Sequence, residues 1–265
     1  MASVELLHEF AAVGQNRPMV ARSDSHLPTA RRVAARLLAA GSYRLNLLSR
    51  RMEMPRPQAV PEGERTLSGD RDVEWAWSMA HLLPASSPAD VLDLGAGHGM
   101  LSLTAAFRGH RVVAVDLEES AFQFEAGLIE YVRGDFNALT FEPRSFDQVL
   151  NCSTIEHFGL AGRYGSGADE DADLAAMERL RAVLRPDGSM VLTIPVGRDD
   201  VFSPYHRVYG AERLPRLLEG FTVELEQYWA KPRDSRWASV ERATALRQQG
   251  SASFYALGLF VLEPR

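Results

Sequence analysis

From Gly69 onward the chain switches repeatedly between two hydrophobic periods. The runs ADVLDL, RVVAVDL, LIEYVRGDF, SFDQVLNCS and SMVLTIPV are short, apolar and rich in β-branched residues, the pattern of strands buried on both faces. Helical spacing separates them. GDRDVEWAWSMAHLL, Gly69 to Leu83, sets Val73, Ala76, Trp77, Ala80 and Leu83 on one face and stops at Pro84, and LAAMERLRAVL runs into an RPDG turn that feeds the fifth strand. Such alternation predicts a parallel sheet covered by helices on both sides. FTVELEQYW and SASFYALGLFVLEP read as two further strands, antiparallel to each other. Ahead of Gly69, Val33, Leu37, Leu38, Leu45 and Leu48 recur at mostly helical spacing among arginines, and the prolines of MPRPQAVPEGE then break the helix. The predicted division is a helical segment and linker over 1–68 and a main domain over 69–265.

Composition narrows the function classes. The 265 residues are 46% hydrophobic with a net charge of −6, enough to bury one full core and short of the basic surplus that gripping nucleic acid or an anionic membrane requires. The expected partner is a small molecule. Cys152 is the single cysteine, so no internal disulfide can form. No apolar run approaches the roughly 20 residues that span a bilayer, and MASVELLHEF has no basic stretch leading into an apolar core, so a cytoplasmic location is expected.

The chemistry starts at VLDLGAGHG, where a strand ends at Leu94 and Gly95, Gly97 and Gly99 form the turn into a helix. Glycines there give the backbone positive φ and let a ligand approach N–H groups at the helix start. A dinucleotide fingerprint, G-x-G-x-x-G, needs its third glycine where Met100 stands, and the carboxylate of Asp93 suits an ammonium group better than a pyrophosphate. A nicotinamide oxidoreductase is thereby disfavoured.

This D-x-G-x-G-x-G at the end of the first strand resembles motif I of class I S-adenosylmethionine-dependent methyltransferases. VVAVD, RGDF, FDQVLNCSTIEHFG and LRPDGSMVLTIPV resemble, in order, the later strand ends of the same family over about Gly69 to Arg265. The resemblance implies an α/β Rossmann-like doubly wound sheet of seven strands in the order 3-2-1-4-5-7-6, the last strand antiparallel, preceded by an N-terminal helical segment. It implies S-adenosylmethionine as cofactor, with Asp93, Gly95, Ala96, Gly97, Asp116, Leu117, Asp135, Phe136 and Asn151 around it. Asp116 would hold the ribose hydroxyls and Asp135 the adenine amino group. Taken singly, an Asp after a strand is commonly a turn former or N-cap, and Phe136 a core residue. The interval from Asp116 to Leu128 admits a short helix only. In the first predicted helix, Arg71 and Trp75 are placed to reach the carboxylate of the cofactor or close over it.

Methyl transfer is a displacement at a sulfonium, so the protein chiefly positions the acceptor and takes its proton. Glu156 and His157 follow the fourth strand, where open α/β sheets bind ligands, and His206 follows the fifth. With an ordinary pKa of roughly 6.5, a histidine can accept a hydroxyl proton near neutrality. Either histidine is a candidate base. Glu156, His157 and His206 together also resemble the divalent-metal ligands of metal-dependent O-methyltransferases, a less favoured alternative. EHFGLAGRYG and HRVYGAERLPRLLEGF are similar to a poorly characterised, partly bacterial group of methyltransferase-like proteins, which puts Arg163, Tyr164, Arg207 and Tyr209 on the substrate side. Asp169, Glu170, Asp171 and Asp173 precede a helix and most simply favour its dipole.

The expected function is methylation of a small molecule in secondary metabolism, foremost a hydroxyl on a sugar or natural-product intermediate, with a homodimer possible. N- or C-methylation and cofactor binding without turnover are the alternatives.

Overall fold

The computed structural model describes residues 70–119, 129–162, 168–231 and 236–265. The predicted helical segment and linker over 1–68 lie outside these residues. Chain order gives α1 (Asp70–Ala80), β1 (Asp90–Leu94), α2 (Met100–Phe107), β2 (Arg111–Asp116), β3 (Ile129–Arg133), β4 (Phe146–Cys152), a 3₁₀ turn (Ile155–His157), α3 (Ala172–Val183) and β5 (Leu184–Val196). A small hairpin of β6 (Asp200–Phe202) and β7 (His206–Val208) follows, then α4 (Arg213–Leu217), β8 (Phe221–Ala230), β9 (Ala238–Ser239), α5 (Arg242–Arg247) and β10 (Ala256–Pro264).

The sheet runs β3-β2-β1-β4-β5-β10-β8-β9. Its first seven strands reproduce the expected 3-2-1-4-5-7-6 order, with β10 antiparallel to both β5 and β8. The eighth, β9, is a two-residue edge strand on β8 that no apolar run announced. The register from β1 to β5 is parallel throughout, pairing Leu94 with Val115 and with Asn151. All five of these carboxyl ends therefore reach the same edge of the sheet.

Period-two alternation explains how strands so uniformly apolar bury both faces. Val91, Val112, Ala114, Leu150 and Val191 join a cluster with Val73 and Trp77 of α1 and Leu101 and Ala105 of α2. Their neighbours Leu92, Val113, Val149 and Leu192 point the other way and are equally buried. The buried face of α1 is rotated from the predicted one: Val73, Glu74, Trp77 and Ser78 are buried while Ala76 and Ala80 are exposed. Small apolar residues mislead here because two polar side chains take the inward positions. The RPDG segment also behaves differently from a simple turn. Phe146 pairs with Leu184 and Gln148 with Ser189, so Arg185 to Gly188 are absorbed as an irregularity within β5.

Candidate active site

A cleft of about 560 Å³ opens at the carboxyl ends of β1, β2, β3 and β4. Its walls include Gly95, Gly97, Asp116, Asp135, Ser153 and His157. The glycine turn has two distinct reasons for lacking side chains. Gly95 sits at φ 75° directly against Thr154, and a Cβ there would lie 2.0 Å from the Thr154 Oγ1, so close packing onto the loop after β4 demands glycine. Gly97, at φ 51°, has nothing nearer than 3.9 Å to an added Cβ; there the left-handed backbone and the access it gives are what matter. The N–H groups of Gly95 and Ala96 donate to the Val115 carbonyl at 2.8 and 3.1 Å, clamping the turn to the end of β2.

Asp116 accepts from the N–H of Gly97 at 2.8 Å and of Glu118 at 3.0 Å, and Asp135 from the N–H of Asn137 at 2.9 Å. Both carboxylates line the cleft, as do Leu117 and Arg71. Phe136 reaches the wall but is 2% exposed; it stacks on Phe141 and lies under the Arg179 guanidinium, so its ring is chiefly core. Asp93 departs from expectation. It is buried behind the turn and accepts from Ser102 Oγ at 2.5 Å, tying β1 to α2, and burial pushes its pKa up to about 6. It does not line the cleft, and neither do Ala96, packed on the core cluster, nor Asn151, whose Oδ1 accepts from the N–H of Ile155 and fixes the 3₁₀ turn. Trp75 is half-buried against that same cluster.

On the opposite wall, His157 Nδ1 lies 2.6 Å from the Tyr205 carbonyl. A carbonyl only accepts, so Nδ1 carries the proton and Nε2 is the basic nitrogen. Nε2 stands 3.8 Å from Glu156 Oε1. Glu156 is buried beneath the wall and is not part of the lining; burial raises its pKa to about 8.

His206, Arg207 and Tyr209 are corrected by their burial. His206 meets the ring of Tyr255 edge-on at 4.9 Å and packs beside Phe202, away from the cleft. Arg207 is 2% exposed and donates to the carbonyls of Phe158, Asp169 and Glu170, joining two parts of the loop after β4. Tyr209 donates to Asp173 Oδ2 at 3.0 Å from a wholly buried position. These are scaffold contacts, which the residue types alone could not distinguish from ligand contacts. Arg163 and Tyr164 lie outside the described residues. The alternative metal site does not assemble: among the described residues no three His, Cys, Asp or Glu side chains, Glu156, His157 and His206 included, form a group able to hold a metal ion.

Three positions that build the site went unnoticed in the sequence. Asp173, read as a helix-dipole residue, is a buried hub that accepts from Arg213 at 2.5 Å and from Tyr209, with Arg207 3.9 Å away. Glu74 is buried on α1, and Ser153 lines the cleft in a left-handed conformation at φ 48°. A faint signal existed for Glu74 alone, because it follows Arg71 by three positions and therefore shares its helix face.

Comparison with known proteins agrees with this architecture. Residues 109–250, more than half of the chain, match the family described as "Caenorhabditis protein of unknown function, DUF268". Over 172 residues the chain is 28% identical to a probable S-adenosylmethionine-dependent methyltransferase of Mycobacterium tuberculosis, covering 59% of this chain and 58% of that protein. It thus spans less than two thirds of that relative. A ubiquinone biosynthesis O-methyltransferase of Nitrosomonas europaea is 29% identical over 172 residues, covering 62% of this chain and 66% of the relative. Among solved structures, the [4+2]-cyclase SpnF superposes with a TM-score of 0.51 at 14% identity over 75% of this chain and 86% of that one, a likeness of fold alone. The fold is the Rossmann-like one of class I methyltransferases.

Proposed function

The chain belongs to the DUF268 family, and we propose that it is an S-adenosylmethionine-dependent methyltransferase that methylates a hydroxyl group of a small molecule. One observation carries the reading: a glycine turn and two carboxylates, Asp116 and Asp135, end three successive strands around a single cleft. The residues present fit the cofactor. The open surroundings of Gly97 admit a ligand against the backbone, Asp116 stands where ribose hydroxyls can donate to it, Asp135 can accept from an adenine amino group, and the half-exposed Arg71 can pair with a carboxylate. S-adenosylmethionine supplies an electrophilic methyl group on a sulfonium.

The protein's own part is positioning and proton removal. In this reading His157, held by the Tyr205 carbonyl, presents Nε2 as the base for an acceptor hydroxyl, and its place in the loop after β4, away from the strand ends that carry Asp116 and Asp135, supports an acceptor bound beside it. That two curated relatives are named as methyltransferases, one of them a ubiquinone biosynthesis O-methyltransferase, supports the acceptor class. Sugars and natural-product intermediates are the first compounds to try. A small-molecule panel of alcohols, phenols and amines, followed by release of S-adenosylhomocysteine, tests the reading: turnover confined to hydroxyl acceptors supports it, and turnover on amines alone overturns the O-methylation part.

A further inference from the structure

Glu74 is a buried carboxylate with a divided task. Its Oε2 accepts from Arg71 Nη1 at 2.9 Å, while its Oε1 accepts from Ser153 Oγ and from Thr193 Oγ1 at 2.8 Å. Arg71 and Ser153 both line the cleft, whereas Glu74 itself is 1% exposed and does not. The carboxylate thus holds two cleft groups from behind, one on α1 and one just past β4. Thr193, on the neighbouring β5, fixes the carboxylate from a third element.

The protons in this fork have chemical consequences. A carboxylate only accepts, so the Ser153 hydroxyl proton is committed to Glu74 and its oxygen offers lone pairs to whatever lies in the cleft. A ligand group beside Ser153 must therefore be a donor. Arg71 next to it offers only donors and a positive charge, so its ligand group must be an acceptor, best an anion. A donor and an anion held by two residues that share one carboxylate correspond to the ammonium and carboxylate of an α-amino acid.

We propose that Glu74 is a positioning residue that sets Arg71 and Ser153 together to read the amino-acid end of the cofactor. This rests on the methyltransferase reading above. The left-handed backbone at Ser153 fits the same role, since a non-glycine residue adopts it where surrounding contacts impose it. Burial alone would not explain the fork, because Arg71 and Ser153, which both donate to Glu74, belong to the cleft wall, while Thr193 anchors the carboxylate from behind it.

Two ligands separate positioning from mere structure. S-adenosylhomocysteine carries the amino-acid end, and 5′-methylthioadenosine is the same thioether nucleoside without it. Calorimetric titration of the full chain with both should show that Glu74→Gln weakens S-adenosylhomocysteine at least tenfold while the affinity for 5′-methylthioadenosine changes by less than about twofold. The amide nitrogen of Gln donates and so cannot serve Arg71 and Ser153 together. An equal loss for both ligands, or no loss for either, overturns the proposal. Should Glu74→Gln fail to fold by circular dichroism, Ser153→Ala decides in its place, with the same selective weakening expected and an equal or absent effect contradicting it. If the unaltered chain binds neither compound, the methyltransferase reading falls and takes this one with it; if it binds both and the variants keep their ratio, the fork alone is wrong.

Discussion

The two walls of the cleft are built by different physics. On the side of β1 to β3, the half-buried Asp116 and the exposed Asp135 accept from backbone N–H groups of the strand-end turns, two positions on for both and, for Asp116, also from Gly97 in the neighbouring glycine turn. On the side of β4, β5 and β7, the acids are buried and hold distant chain segments: Glu74 joins α1, β4 and β5, and Asp173 joins α3 to Tyr209 and Arg213. The first wall can lose a side chain and keep its shape, so its substitutions should read out as binding. The second cannot, because each buried charge balances others, and its substitutions should read out in stability as well.

The largest effect expected concerns His157. Its replacement by Ala should lower turnover by about 10² to 10⁴ if Nε2 removes the acceptor proton, with S-adenosylhomocysteine affinity retained because the cofactor wall is untouched. A variant with full turnover in a saturating single-substrate assay would move the proton chemistry elsewhere.

Next comes Asp173. Asp173→Ala leaves the buried Arg207 and the Arg213 guanidinium without their shared anion, and removing one member of such a network costs about 3–5 kcal/mol. Thermal unfolding should show a marked drop in Tm, while Asp173→Asn, which still accepts from Tyr209, should fall between. A change confined to ligand affinity would erase the contrast between the walls.

Glu156 gives a smaller, pH-dependent effect. Its native pKa, raised by burial to about 8 from an ordinary 4.5, means that folded and unfolded chains are both protonated there below about pH 4.5. Between 4.5 and 8 the unfolded chain loses this proton and the native one keeps it, so the group makes stability fall as pH rises, and above 8 the full cost is present. Glu156→Gln should match the parent protein at pH 4.5 and exceed it by up to about 4 kcal/mol at pH 8 in denaturant unfolding. Parallel stability curves for the two proteins would contradict the buried-acid assignment.

The same contrast explains what was legible in the sequence. The wall of β1 to β3 is made by residues within a few positions of a strand end, so order along the chain carries its geometry; Gly95, Gly97, Asp116 and Asp135 all reach the cleft. The alternation of periods predicted the helix-covered parallel sheet and the family resemblance implied its strand order, and only the two-residue β9 and the absorbed RPDG segment escaped them. Across the cleft, partners are separated by tens of positions. Nothing local distinguishes Arg207, which braces three carbonyls, from an arginine that greets a substrate, or Asp173, at the heart of a buried network, from an acid that caps a helix. Asp93 failed for a related reason: Ser102, nine positions away on the next helix, claims the carboxylate that a strand-end pattern assigns to a ligand.

The most direct test of the central claim is the affinity of the full chain for S-adenosylhomocysteine beside that of Asp116→Ala. Asp116 lines the cleft at the half-buried end of β2, outside the hydrophobic core, so its loss should spare the fold. Its hydrogen bonds to ribose hydroxyls, each worth roughly 1.5–3 kcal/mol, should make the difference at least tenfold. Calorimetry is predicted to give one site per chain and a binding constant weakened at least tenfold in the variant, at unchanged Tm. An unaltered chain that does not bind S-adenosylhomocysteine, or a variant that binds it equally well, would contradict the account.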